Sequence, residues 1–128
     1  MNLGQVYQSL AAWRKLSAIT MKAKVAYRLL KYTECVSAEY DIVEKQRVAL
    51  IREATGATAG ENARIEPNTK EFVEYAEKLG EIMLTESTLD QVDMELEDVI
   101  NVLDNKSDVL TVSDLALLAP FFRSYEVA

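Results

Sequence analysis

Apolar residues recur every three or four positions over long stretches of this chain, which is the spacing of one helix face. The first stretch runs from about Asn2 to Leu16, and Asn2 is a suitable N-cap because its side chain can accept a hydrogen bond from the first turn. Its apolar stripe consists of Leu3, Val6, Tyr7, Leu10 and Trp13. We predict an amphipathic helix in which Trp13 anchors a core or an interface.

The longest pattern lies between Met21 and Thr55, where the chain contains neither glycine nor proline. Thr20 is a candidate N-cap, and Gly56 is a candidate C-terminal stop. Such a helix measures about 50 Å, which exceeds the diameter implied by a radius of gyration of about 14 Å. We expect it to bend or to extend beyond its domain and meet a partner. The predicted contact face with a second copy consists of Val25, Leu29, Tyr32, Val36, Tyr40, Val43 and Leu50.

Two further helices are predicted in the second half of the chain. One follows Pro67 and should end near Glu86, and the other precedes Pro120, which ends or kinks it. The candidate N-caps are Asn68 or Thr69 for the first helix and Thr111 or Ser113 for the second. The apolar face of the first consists of Phe72, Val73, Ala76, Leu79, Ile82 and Met83.

The segment Val92–Leu96 fits two structures. Apolar residues alternate with acids, which is typical of a half-buried strand. A helical face also fits, with Leu89, Val92, Leu96, Val99 and Leu103. We favour the strand, which would form a small hairpin with Ala63–Glu66.

The composition agrees with long elements joined by few turns. Of the 128 residues 49% are hydrophobic and 27% are charged, with only 4 glycines and 2 prolines, so turn-forming residues are too scarce for many short strands. We therefore predict one mainly α domain over residues 1–128, with a long central helix and a minor two-stranded β element.

The charges are divided along the chain. The first 33 residues contain six basic residues and no acid, whereas all 21 acidic residues and 8 basic residues follow. Arg14, Lys15, Lys24, Arg28 and Lys31 form a candidate basic patch. We consider three binding partners for this patch: the acidic third helix of the same chain, an acidic face of a second copy, or nucleic-acid phosphates. The net charge of −7 disfavours the last, because it repels a polyanion.

No residue set predicts catalysis. The chain has no histidine, which removes the commonest general base and zinc ligand. Its single cysteine, Cys35, is expected to be a buried apolar residue. The acids Asp90, Asp93, Glu95, Glu97 and Asp98 lack the glycine and spacing of a calcium loop, so we interpret them as a solvated surface. We expect no enzyme activity, catalytic residue, metal or cofactor.

No apolar run approaches the roughly 18 residues that a membrane span requires. We expect a soluble intracellular protein without a signal peptide.

Three segments resemble a family of small proteins of unknown function from tailed phages and prophages of Gram-positive bacteria. They are Leu10–Leu16 (LAAWRKL), Lys22–Lys31 (KAKVAYRLLK) and Tyr40–Ile51 (YDIVEKQRVALI). In that family a short helix and a lysine-rich turn precede a long helix, and a polar loop, an acidic helix and a closing segment follow. Here Ala18-Ile19-Thr20 stands where the family pattern has Leu-Pro. The resemblance implies a phage context and no particular mechanism.

These observations predict a non-enzymatic phage protein that assembles with itself or with other phage proteins. The alternative is an accessory protein that binds a nucleic acid, a nucleotide signal or a host defence protein, with Lys24, Arg28 and Lys31 holding phosphates. Salt separates the two, because phosphate binding weakens steeply with added salt whereas apolar assembly does not.

Overall fold

The computed structural model describes residues 1–19, 22–56, 65–102 and 110–123. Its helices are α1 (Leu3–Ser17), α2 (Ala23–Thr55), α3 (Lys70–Leu84), α4 (Leu96–Val102) and α5 (Val112–Leu118), followed by a 3₁₀ turn (Ala119–Phe121), with strands β1 (Val92–Glu95) and β2 (Phe122–Arg123). The predicted mainly α fold with one long helix is confirmed. The cap candidate Thr20 and most of the predicted loop after Gly56 lie outside the described residues.

The start of α1 is capped as predicted and is also fixed by the segment that follows α3. The Asn2 side chain accepts from the Gln5 amide at 2.9 Å, and the Gln5 side chain accepts from the Asn2 amide at 2.8 Å. The Leu3 amide donates to the Thr85 carbonyl at 2.8 Å. Gly4 lies so close to α3 that a Cβ atom there would be 3.1 Å from the Met83 carbonyl oxygen. The first turn of α1 therefore holds the end of α3 in place.

The long helix α2 ends where the sequence predicted. Gly56 adopts a left-handed conformation with φ of 71°, which favours glycine, and its amide donates to the Arg52 carbonyl at 2.7 Å. At the other end the N-cap is Lys22, whose side chain makes no capping hydrogen bond. The 33 residues span about 50 Å at 1.5 Å per residue.

Helix α1 packs antiparallel to the middle of α2. Ser17 lies 3.1 Å from the Thr33 hydroxyl, whereas Tyr7 donates to Glu44 at 2.6 Å. Beyond Val43 no residue of α2 is fully buried, and α3 packs beside that part of the helix. Other elements of the same chain thus cover most of the helix that was expected to extend beyond its domain.

The core is centred on Trp13, which is completely buried. Its ring centroid lies 5.0 Å from that of Tyr32 in α2. Phe121 meets it edge-on at 5.6 Å, and Phe122 stacks on it at 5.5 Å. One side chain therefore joins α1, α2 and the end of the described chain in a single aromatic cluster.

The predicted strand exists, and the partner that the structure gives it is not the predicted one. β1 pairs in parallel with β2, with Val92 opposite Phe122. Of the predicted partner Ala63–Glu66, residues 63 and 64 lie outside the described residues, and residues 65 and 66 form no strand. The burial of Phe121 and Phe122 beside Trp13 brings β2 to β1. Leu96 begins α4 directly after the strand, which explains why both periodicities fit this segment.

The two later helices begin at predicted N-caps. Thr69 accepts from the Phe72 amide at 3.2 Å, and Thr111 accepts from the Asp114 amide at 3.1 Å. Helix α5 gives way to the 3₁₀ turn that contains Pro120, as expected for a residue that cannot continue a helix.

We predict that replacing Trp13 with alanine destabilises the fold by about 3–5 kcal/mol, the usual cost of emptying an aromatic core site. Trp13→Phe should cost clearly less, because a ring remains and because the buried Trp13 Nε1 has no hydrogen-bond partner among the described residues. Urea unfolding followed by circular dichroism measures both changes. Tyr27→Ala is the control, since Tyr27 is 62% exposed; a Trp13→Ala cost equal to that of the control would contradict this core.

Candidate functional site

Three residues of the predicted basic patch lie together on the first turns of α2. Lys24, Arg28 and Lys31 are spaced by four and three positions and are all exposed. None of them forms an ion pair with a residue in the described ranges. The Lys31 ammonium lies 5.6 Å from the ring centroid of Tyr27, a cation–π distance. This part of α2 therefore presents positive charge to solvent.

The other two patch residues end α1. Arg14 is exposed, whereas the Lys15 ammonium lies 3.0 Å from the buried Asp114 carboxylate in α5. The ion pairs do not show the predicted neutralisation of the patch by the acidic third helix. The ion pair that α3 forms joins Lys78 to Glu53 of α2 at 2.9 Å. Within the described ranges, Lys15 is thus the patch residue that forms an intrachain ion pair, and its partner lies in α5.

Arg28 and Lys31 also border a groove of about 600 Å³ beside α2. Tyr32 and Cys35 continue its helical wall, and the segment Thr88–Asp93 forms the opposite wall. The two walls carry opposite charges, since Asp90 and Asp93 face the basic residues across the groove. Arg123 pairs with Asp93, so part of the acidic charge is already compensated within the chain.

Tyr32 ties the two walls together. Its hydroxyl donates to the Asp90 backbone carbonyl at 2.6 Å, and its ring contacts Trp13 in the core. Burial, above all, raises the pKa of the Tyr32 hydroxyl, with electrostatic interactions with Cys35 and Asp90 adding to the rise. The phenol therefore stays neutral and acts as a structural link.

Cys35 is exposed on this groove, and the prediction that it is buried is wrong. The core face of α2 passes through Thr33 and Val36, and a residue directly before Val36 points about 100° away from it. The chain contains no histidine, so no imidazole is present to activate this thiol.

A second polar cluster joins α1 to α2. Tyr7 and Tyr40 stack with centroids 4.6 Å apart, and Tyr7 donates to Glu44, which also accepts from the Arg47 Nε at 3.1 Å. The bond from Arg47, followed by that from Tyr7, lowers the pKa of Glu44. Arg47, which interrupts the apolar stripe of α2, is therefore paired inside the chain.

The predicted assembly face of α2 is occupied by the chain itself. Leu29, Val36 and Val43 are fully buried. Val25, Tyr32 and Tyr40 are partly buried and packed against the same core, and Leu50 lines a small pocket beside α3. The three buried side chains are covered by other elements of the same chain and are not available to a second copy in this fold. The periodicity identified a contact stripe and did not reveal which chain supplies the contact.

Sequence reasoning missed the apolar residues that point outward. The exposed large hydrophobic side chains are Tyr27, Leu30 and Ile42 in α2, Phe72, Val73 and Leu84 in α3, Ile100 in α4 and Val112 in α5. In α3 no residue is fully buried, although its apolar face was predicted correctly as a pattern. The available signal was the width of that face, which exceeds what one neighbouring helix can cover.

The acids near β1 do not converge. Within the described ranges no three acidic, cysteine or histidine side chains are placed to hold a metal ion. Across the same ranges, no helix has the length and apolar content needed to cross a membrane.

Comparison with family models, curated proteins and solved structures finds no match to this chain.

We predict that Asp114→Asn is less stable than the parent protein at pH 7 by about 1 kcal/mol, the typical contribution of one hydrogen bond. Hydrogen bonding from the Thr111 backbone amide, followed by Lys15, lowers the pKa of Asp114. A carboxylate with a lowered pKa stabilises the fold above its unfolded pKa of about 3.9 and loses that contribution as the pH falls through the folded value.

Urea unfolding at pH 7, 5 and 3 tests this sign. The gap between Asp114→Asn and the parent should shrink below about pH 4. Asp98→Asn, which changes an exposed residue, should show no comparable gap. A difference that stays constant or widens on acidification would contradict the assignment.

Proposed function

We propose that this chain is a non-enzymatic protein that acts by assembling with protein partners, including further copies of itself. The observation that carries the proposal is the incomplete burial of α3. One flank of the helix, with Tyr75, Leu79, Ile82 and Met83, is half-buried against the chain. The other flank leaves Val73 and Leu84 exposed to 53% and 76%, and Phe72 in the first turn is 37% exposed.

Helix stability in proteins comes mainly from the packing of an apolar face. A helix of 15 residues that packs only half of its apolar arc is incompletely stabilised by its own chain. Contiguous exposed apolar surface is a common sign of a protein interaction site. The uncovered flank of α3 therefore supports a partner that covers it.

The proposal excludes catalysis because of the chemistry at the groove. Its potential nucleophile is Cys35, and a thiol needs a base or a positive neighbour to be reactive at neutral pH. The absence of histidine removes the usual base. Arg28 and Lys31 line the same groove as Cys35, so the proposal of a non-enzymatic role rests on the missing imidazole base and not on an isolated thiol.

The resemblance to small phage and prophage proteins supplies the proposed setting. Within it, the chain would be virion-associated or would act in morphogenesis, in the cytoplasm of the host. This setting depends on the resemblance, whereas the assembly role depends on the surface of α3. Evidence against one therefore does not count against the other.

The test is the absolute mass of the protein by light scattering at low and high salt. Concentrations should extend to about 1 mM, where a contact of only about 4 kcal/mol is half occupied. We expect a mass above the 14.4 kDa of one chain at both salt concentrations, because apolar burial is not screened. A single chain at both salts would contradict self-association, and an oligomer that dissociates fully in high salt would contradict an apolar contact.

A second candidate function is phosphate binding, as in an accessory protein that binds a nucleic acid, a nucleotide signal or a host defence protein. It is favoured by Arg28 and Lys31, which are exposed at the edge of the groove.

Fluorescence anisotropy with a labelled single-stranded oligonucleotide tests this candidate. If both cations hold phosphates, the logarithm of the affinity should fall with a slope of about −1.4 against the logarithm of the salt concentration. Arg28→Ala with Lys31→Ala should abolish binding, whereas Lys45→Ala, an exposed change further along α2, should not. Absence of binding at about 50 mM salt, where such contacts are strongest, would contradict this function.

A further inference from the structure

We infer that the exposed flank of α3 binds the basic segment of α2 in the next copy, so that the chains join head to tail. This inference rests on the proposed assembly function and names its two surfaces. The outer strip of α3 comprises Val73, Ala76 and Leu84 with the acids beside them. The basic segment of α2 comprises Lys24, Tyr27, Arg28, Leu30 and Lys31.

The outer strip of α3 is apolar with an acidic border. Val73, Ala76 and Leu84 follow helical spacing, and all three are exposed. Glu77 lies one turn after Val73 on the helix surface, and Glu81 lies one turn before Leu84. Neither acid forms an ion pair with a residue that the structure describes.

The basic segment of α2 also combines exposed apolar side chains with charged ones, but its charge is positive. Tyr27 and Leu30 are 62% and 50% exposed, although large apolar side chains are usually more covered. Lys24 and Lys31 flank Tyr27 on the outward face, and the Lys31 ammonium rests on its ring. Glu34 lies on the same face of α2 and reduces this positive charge, as do Asp90 and Asp93 across the groove.

Charge complementarity indicates that the partner is a second copy. It also indicates that two different surfaces meet, one from each copy. Pairing α3 with α3 would oppose Glu77 and Glu81 to their own equivalents, and pairing two basic segments would oppose lysines. Like charges at an interface cost affinity, whereas opposite charges steer partners into register. When the strip of one copy packs against the basic segment of another, the exposed apolar side chains are buried and opposite charges face each other.

The two surfaces do not overlap within one chain. Helix α3 runs beside the C-terminal part of α2, since Lys78 pairs with Glu53, and its last turn lies against Gly4. Tyr27 and Glu53 are about 39 Å apart along the axis of α2 at 1.5 Å per residue. Each copy can therefore use both surfaces at once, and contacts between two different patches generate rings or filaments.

A pair of single variants tests the two surfaces. Leu30→Glu places an acid in the basic segment of α2, and Val73→Glu places one in the outer strip of α3. Each variant alone retains only one functional surface, so light scattering should give the mass of one chain, 14.4 kDa, at concentrations where the parent protein is larger. An equimolar mixture retains one complete contact and should form a dimer and nothing larger.

Two matched variants serve as controls. Ile42→Glu changes a residue of α2 that is 53% exposed, and Val112→Glu changes a valine that is 85% exposed in α5. Both controls lie outside the two surfaces, and both should keep the parent mass. All four proteins should keep the circular dichroism spectrum of the parent. If either test variant misfolds, Tyr27→Glu or Leu84→Glu repeats the test on the same surface.

The outcomes separate this inference from the proposed function. If the parent protein is larger than one chain but the test variants retain its mass, self-assembly holds and the named surfaces are overturned. A mixture in which both variants remain single chains also overturns the head-to-tail contact. If the parent protein itself is a single chain at every concentration, the self-association on which the inference rests fails with it.

Discussion

The packing of α1 against α2 around Trp13 determines the rest of this structure. The Trp13 ring contacts Tyr32 on one side and Phe121 and Phe122 on the other, so a single buried side chain holds three distant parts of the sequence. Because Phe122 is held there, β2 lies beside β1. Because Tyr32 is held there, its hydroxyl fixes the segment at Asp90 and with it the far wall of the groove. Removing this indole would loosen each of these contacts together.

The same packing decides which surfaces are free. Within the apolar stripe of α2, Leu29, Val36 and Val43 are covered by other elements of the same chain. The two surfaces proposed for assembly lie outside that stripe, at the basic segment of α2 and the outer strip of α3. The basic residues of α2 and the acidic residues of α3 therefore lie at separate places on the surface. Opposite charges on distant surfaces of one molecule favour contacts between molecules.

Elements that depend on neighbouring residues could be predicted, whereas contacts between distant residues could not. The N-caps Asn2, Thr69 and Thr111 and the stop at Gly56 act within one helical turn, so the local sequence contains them. The pairing of β1 with β2 joins residues some thirty positions apart and has no local signal. The exposure of Lys24, Arg28 and Lys31 on one face of α2 followed from their spacing. The element that covers the apolar stripe of α2 did not, because periodicity is the same for a stripe that meets its own chain or another. Cys35 shows the same limit, since its exposure depends on the side from which α1 packs.

The account makes one central claim: the inner stripe of α2 is structural and the outward surfaces carry the interaction. A dilution series followed by two-dimensional ¹H–¹⁵N NMR tests it residue by residue, because weak association shifts the resonances of contacting residues. On concentration, shifts should grow for the basic segment of α2 and for the outer strip of α3, while Trp13, Val36 and Val43 stay unchanged. Concentration-dependent shifts confined to the inner stripe would contradict the claim, as would a spectrum that does not change at all.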